Sequence, residues 1–375
     1  SFAQLLTSVG FKASPILLDV ILPVGISFYT FHGLSYVIDI YYKRIKAEYN
    51  FVDYSLFVSY FPLLVAGPIE RATHLLPQVK VQRSFDLEKA KEGLAQFVWG
   101  LVKKVVIADT CATYANAVFD NYPSMNSLSL MLGAIYFAFQ IYGDFSGYSD
   151  MALGMSKLFG IDLLKNFNYP YFSRDIAEFW RRWHISLSSW FRDYLYIPLG
   201  GSQGGMWFKI RNTFIIFLVS GFWHGANWTY VVWGLLNAIY FLPLLVLQKN
   251  RNNTGPVVVN FDWKGLQTVV NILITFLLST IAWVFFRAKS ITDAVLYLKQ
   301  LVYNGDFSSQ YLSNERYNYE ILLLIGVFVV VEWNNRNRVE PLSGRYSLLK
   351  FGLAIAAIMA LGTFSDYKEF IYFQF

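Results

Sequence analysis

Long apolar runs alternate with short polar connections along this chain, a pattern that predicts helices crossing or entering a lipid bilayer. One crossing needs roughly 20 consecutive apolar residues. Val20–Ile38 is uncharged except for His32, and Asn121–Gly143 is uncharged throughout, with Leu128–Tyr142 as its core. Leu266–Phe286 and Phe351–Thr363 are further spans, and Ile321–Val331 is a short one with polar ends. Leu94–Val118 is apolar but interrupted by Lys103, Lys104 and Asp109. Tyr54–Ile69 stops at Gly67-Pro68, as a re-entrant or tilted segment does. Thr213–Gln248 carries no charged residue and is either two segments or one helix broken near Gly221 or Gly225. The pattern predicts roughly eight to ten helical elements, taken as one domain over residues 1–375.

The polar stretches are the connections. Arg71–Glu92 leads into a helix expected to begin near Asp86, with capping residues at Ser84-Phe85-Asp86 but no capping box. Residues 249–264 and 304–316 read as loops, and His74 as a loop residue. No internal repeat at a solenoid period is visible.

Composition supports the membrane reading. The chain is 55% apolar and 19% aromatic, with only 15% charged residues, against about 25% in an ordinary soluble protein. Trp and Tyr in such number fit membrane–water interfaces. The net charge of +6 lies mostly in loops. Lys43, Arg44 and Lys46 form one cluster and Arg336, Arg338 and Arg345 another, as on cytoplasmic loops. A nucleic-acid partner needs a continuous basic face, which is missing. The single cysteine, Cys111, excludes an intramolecular disulfide and sits in a run of small residues, IADTCATYA, that suits burial. Ser1 opens the chain without a charged n-region or cleavage site, so an N-terminal portion is expected to precede it.

An ionisable side chain inside an apolar span is costly and marks function by default. His224 occupies that position near the middle of Thr213–Gln248. Histidine also titrates in the range suited to proton transfer. The densest constellation lies in Ser173–Ser202, where Trp180, Trp183, Leu187, Trp190 and Tyr194 recur at helical steps. That stripe predicts one amphipathic interfacial helix, polar along Arg174, Glu178, Arg181, Arg182, Arg192 and Asp193, and ended by Pro198 and Gly200-Gly201. His184 lies within it, with Ser188 one turn later.

His184 sits about 21 Å of helix before Pro198, and His224 about 28 Å after Gly205. If GGSQGG joins two antiparallel helices, the two histidines reach similar depth. The competing reading of each is a buried ring satisfied by a backbone carbonyl. His32 reads as a packed helix residue. Asp144 and Asp150 fit capping groups at a membrane boundary better than partners that orient a histidine. No HExxH, CxxC or carboxylate cluster points to a metal, no GxSxG to a serine hydrolase, and no P-loop to a nucleotide. What remains is a general-base histidine in a dry interior, suited to activating a hydroxyl. Gly and Pro inside spans also fit a transporter or acyl translocator that forms no ester, but no inverted repeat supports it.

The segments FWRRWHISLSSWFRDYLYIPLGG and SGFWHGANWTYVVWG resemble the membrane-bound O-acyltransferase family, in particular its alginate O-acetyltransferase branch. LPVGISFYTFHGLSYVIDIYY, AGPIER, YGDFSGYSDMALGMSKLFGI and the terminal FIYFQF extend that resemblance over nearly the whole chain. The resemblance implies an all-α polytopic membrane protein, a ring of transmembrane and re-entrant helices around a central funnel, with further helices N-terminal to Ser1. It implies that His224 is catalytic and His184 its near-invariant companion. Arg181 and Arg182 are then expected either to hold the donor's phosphates or to anchor at the membrane surface, and Trp223, Ser188 and Asn227 to complete the substrate site. An acyl thioester, acetyl-CoA or a carrier-bound acyl group, is the implied donor, with no tightly bound cofactor and no metal. The implied setting is the bacterial inner membrane, where periplasmic partner proteins carry acetyl to a polysaccharide.

Overall fold

The computed structural model describes residues 25–310, 319–336 and 346–364, together with Gly10, Pro341, Leu342, Gly344 and Phe370. Among these residues every regular element is a helix. The first half comprises α1 (Ile26–Tyr41), α2 (Phe51–Val58), α3 (Ala72–Lys80), α4 (Leu87–Leu101), a wide π-type segment Val102–Ala108, α5 (Asp109–Asp120) and α6 (Ser127–Leu158). The second half comprises α7 (Ile176–Arg182), α8 (Ile185–Phe191), a second π-type segment Arg192–Tyr196, α9 (Met206–His224), α10 (Trp228–Val246), α11 (Trp263–Arg287), α12 (Ile291–Tyr303), α13 (Glu320–Asn335) and α14 (Ser347–Leu361). These are fourteen α-helices among the described residues, more than the apolar pattern predicts, because several runs break into pieces shorter than a bilayer crossing.

Among the described residues three helices are long and apolar enough to span a membrane: α6, α10 and α11. The apolar window of α6 is 83% buried by protein, whereas those of α10 and α11 are 39% and 44% buried. The longest helix is therefore the internal post, and α10 and α11 keep a lipid-facing side.

Glycines set how closely that post is approached. A Cβ on Gly93 would lie 2.5 Å from the carbonyl oxygen of Gly154, and one on Gly100 would lie 2.5 Å from that of Gly147. The two pairs run in opposite directions along α4 and α6, so the helices are antiparallel and their backbones touch. Lipid supplies no hydrophobic drive to bring helices together, so packing at small residues takes its place.

Local signals account for the ends. Asp86 caps α4, accepting from the backbone N–H groups of Glu88 and Lys89, where the sequence placed a helix start. α6 begins at Ser127 rather than Asn121, because the Asn126 side chain caps it by accepting from the Ser129 N–H. Tyr54–Ile69 is not one span: α2 gives way to a single turn at Phe61–Leu63 and then to irregular chain. Thr213–Gln248 divides at Gly225 into α9 and α10. His74, expected in a loop, lies in α3, where its Nδ1 pairs with Glu70 Oε2 at 2.7 Å, one helical turn away. His32 is buried in α1. Of the basic clusters, Arg44 pairs with Asp39 at 3.0 Å and Arg336 lies 3.8 Å above the Trp333 ring. Arg338 and Arg345 fall outside the described residues.

Candidate acyl-transfer site

The α9–α10 hairpin positions His224. Gly221 and Gly234 have no room for a side chain: a Cβ on either would lie 2.3 Å from the backbone oxygen of Tyr230 or Phe217 respectively. This contact sets the last turn of α9 against the start of α10. The His224 ring is boxed by Trp223, Trp233 and Phe286, with centroids 4.8, 5.1 and 5.1 Å away. Trp233 is fully buried and stacks on Trp283.

His184 stands at a break. The continuous helix predicted over Trp180–Tyr194 does not form: α7 ends at Arg182, His184 adopts a left-handed backbone at φ 44°, and α8 starts at Ile185. A non-glycine residue held there costs about 1 kcal/mol or more and persists only where its surroundings enforce it. The enforcing element is the connection after α6. Asn168 N–H donates to the Arg182 carbonyl and Ile185 N–H to the Asn166 carbonyl, each at 2.9 Å. These two bonds take the backbone groups on either side of the break, so the chain gives up helical continuity at little hydrogen-bond cost. Helical periodicity cannot reveal such a break, because the bonds that cause it come from residues 166–168.

The structure brings both histidines against Trp223, whose ring lies 6.4 Å from that of His184 and 4.8 Å from that of His224. His184 is 2% exposed and meets Phe145 edge-on at 4.5 Å. Its Nδ1 lies 3.0 Å from Asn166 Oδ1.

Support comes from AGPIER, a segment whose local role the sequence did not reveal. Ile69 N–H donates to Ser186 Oγ at 2.9 Å. Glu70, wholly buried, accepts from Leu164 N–H at 2.6 Å, and its own N–H donates to His32 Nε2 at 3.1 Å. Arg71 reaches Ser189 at 3.4 Å and Asp193 at 3.8 Å. One short segment thus grips α8, the connection that breaks it, and the turn beyond it.

A cavity of about 650 Å³ opens beside the helices that carry the histidines, lined by their neighbours rather than by the two rings themselves. Its lining includes Ser188, one turn after His184, and Ser220, one turn before His224. Leu187, Phe191, Phe217 and Phe241 form apolar wall, and Arg181, Arg192, Lys209 and Arg251 give it a basic side. The two arginines grouped by the sequence therefore part company. Arg181 lines the cavity and bonds the carbonyls of Asn250 and Asn253 at 2.8 and 2.9 Å. Arg182 turns away, sharing the buried Glu178 with Arg174 at 2.8 Å and bonding the Asn168 carbonyl at 3.1 Å. Asn227 caps α10 through Thr229 N–H and donates to the Lys289 carbonyl at 3.1 Å, so its side chain is committed to structure.

Asp144 and Asp150 do not cap a helix end. They lie inside α6, where Asp144 pairs with Lys104 at 2.7 Å and Asp150 with Lys103 at 2.9 Å. The π-type segment places these consecutive lysines on the post, and Lys103 also approaches Glu332 of α13 at 3.5 Å. A buried charge needs a partner, and Glu332 was legible only as a polar end of an apolar run. Among the described residues no group of His, Cys, Asp and Glu could hold a metal ion.

A model of the membrane-bound O-acyltransferase family matches residues 41–286, which takes in both histidines, the cavity and the post. The chain belongs to that family. It is 43% identical to the probable alginate O-acetylase AlgI of Pseudomonas aeruginosa over 295 residues, 78% of this chain and 54% of that protein. It is 39% identical to the peptidoglycan O-acetyltransferase of Helicobacter pylori over 324 residues, 80% of this chain and 60% of that protein. A more distant relative is the teichoic acid D-alanyltransferase of Streptococcus thermophilus, 31% identical over 235 residues, 58% of this chain and 55% of that protein. The chain spans between half and two thirds of the length of the curated relatives it matches. Membership agrees with the helical elements of the described residues, several of them apolar, so this family member is a polytopic membrane protein.

Proposed function

We propose that this family member is an O-acetyltransferase of the bacterial inner membrane that helps ester-link acetyl groups to an exported or cell-envelope polysaccharide. The observation that carries the reading is the meeting of His184 and His224 on Trp223, one turn from a cavity with a basic side and apolar walls. An acetyl thioester whose carrier bears phosphates matches that cavity: phosphate against Arg181, Lys209 and Arg251, the apolar arm along Phe217 and Leu187. The names of the alginate and peptidoglycan relatives support a saccharide acceptor.

In this reading His224 removes the proton of the attacking hydroxyl as its oxygen adds to the thioester carbonyl. The tetrahedral intermediate collapses with loss of the C–S bond, and the His224 imidazolium returns the proton to the departing thiolate. General-base assistance of this kind contributes roughly 10²–10⁴ in rate, and exclusion of water by the surrounding rings protects the thioester from hydrolysis. His184 orients the substrate beside it. Delivery to the final polysaccharide goes through partner proteins on the far side of the membrane.

The test compares ester-linked acetate on cell-envelope polysaccharide in cells carrying the natural protein and cells carrying His224→Ala at equal membrane level. Loss of the acetate is expected. Full acetylation by the variant removes His224 as the base, and absence of acetate with either protein removes the acetyl-transfer reading.

A further inference from the structure

We infer that Asn166 is a positioning residue that locks His184 with its proton on Nδ1, leaving Nε2 as a hydrogen-bond acceptor aimed at substrate. The inference deepens the proposed function and rests on it only for the identity of the substrate.

The polarity of the Asn166 amide follows from its neighbours. Ser186 backbone N–H, which can only donate, approaches Asn166 Oδ1 at 3.4 Å, so that atom is the carbonyl oxygen. Ser186 Oγ already accepts from Ile69 N–H, and its own hydroxyl donates to the same Oδ1 at 2.9 Å. The other end of the amide, Nδ2, donates to Ser149 Oγ of α6 at 3.1 Å. An amide gripped by α6 at one end and α8 at the other does not turn over. His184 Nδ1, 3.0 Å from that oxygen, must therefore carry the hydrogen.

A neutral imidazole has one N–H. With it committed to Asn166, Nε2 offers a lone pair, and this atom is buried with no hydrogen-bond partner among the described residues. A buried acceptor left open carries a desolvation cost that a ligand can relieve. The ligand group must be a donor, so neutral His184 cannot supply a hydrogen bond to a developing oxyanion. It accepts one from a substrate O–H. Since one hydroxyl carries one hydrogen, this O–H differs from the one His224 deprotonates.

The full chain with ¹⁵N-labelled histidine, in membranes, reports the tautomer directly, because only four histidines contribute and loss of signal in His184→Asn assigns the resonance. The expected spectrum has His184 protonated on Nδ1 and bare at Nε2. In Asn166→Leu the other tautomer gains population and kcat falls by roughly 10²-fold or more, the order seen when a histidine loses its orienting partner, while the donor's KM stays. Asn166→Asp, which keeps the acceptor, retains the tautomer and restores most of kcat. A wild-type His184 protonated on Nε2 overturns the inference, as does an Asn166→Leu protein whose tautomer and kcat match the wild type. If Asn166→Leu does not fold, the wild-type and Asn166→Asp spectra decide by the same criterion. Should the wild type transfer no acetyl group, the proposed function fails while the spectra still decide the tautomer.

Discussion

Arg181 and Arg182 are neighbours in sequence with opposite fates, and replacing each by Ala separates them. Arg182→Ala removes two contacts to Glu178 Oε1, at 3.2 and 2.8 Å, and one to the Asn168 carbonyl at 3.1 Å. Hydrogen bonds to charged groups contribute about 1.5–3 kcal/mol. Glu178 keeps Arg174 at 3.0 and 2.9 Å, so its carboxylate is not stranded and the larger penalty for an unpaired buried charge does not apply. The net expectation is a loss of about 2–4 kcal/mol. The lost Asn168 contact also loosens the connection that holds the break at His184. Arg181→Ala removes two bonds from an exposed side chain to loop carbonyls, with a stability loss of about 1 kcal/mol. It also takes a cation from the cavity. If donor phosphate is held there, losing one charge-assisted contact raises the donor's KM roughly tenfold or more. Thermal unfolding followed by tryptophan fluorescence, with steady-state kinetics on an acetyl thioester, measures both effects. An Arg182→Ala protein that melts like wild type while raising donor KM as much as Arg181→Ala refutes the assignment.

Three further outcomes are expected. Gly154→Ala forces a Cβ to 2.4 Å from the Gly93 oxygen and 2.6 Å from the Phe97 nitrogen, both backbone atoms; it should lower stability by about 1–3 kcal/mol, whereas Gly33→Ala, with open space around it, should not lower the melting temperature. Lys103→Met strands Asp150 and Glu332 and should cost about 3–5 kcal/mol, partly recovered by adding Glu332→Gln; a Lys103→Met protein that melts like the wild type contradicts this. His74, outside the spanning helices, is held above its usual titration range by the hydrogen bond to Glu70. Its charged form therefore stabilises the fold fully below about pH 6.5 and less as pH rises through the folded value. The wild type's advantage in melting temperature over His74→Gln should shrink from pH 6 to pH 9, and an advantage that grows with pH would sink the argument.

Much of the architecture was legible because a bilayer is a demanding solvent. Apolar runs over Leu266–Phe286, Thr213–Gln248 and Leu128–Tyr142 each coincide with long helices, since an unpaired backbone group in lipid costs several kcal/mol. Gly225 was one of two candidate break points, and the chain turns there because Tyr230 packs against it. The Trp stripe in Ser173–Ser202 was misread as continuous, since periodicity registers which face is apolar and not whether the backbone is unbroken.

Residue type and local pattern were enough to establish a helical membrane protein and to single out His184 and His224, and the resemblance of its long motifs pointed to the O-acyltransferase family. Those signals are short-range, and each is written in consecutive residues. Only the tertiary structure decided what each side chain faces. It put Trp223 against both histidines, turned Arg182 from the cavity to Glu178, buried Asp144 and Asp150 against lysines, and set Asn166 beside the ring it orients. The physical reason is separation along the chain. Asn166 lies 18 residues from His184, and Ile69 lies 117 residues from Ser186. Bonds closed over such distances depend on how helices pack, which no local period records.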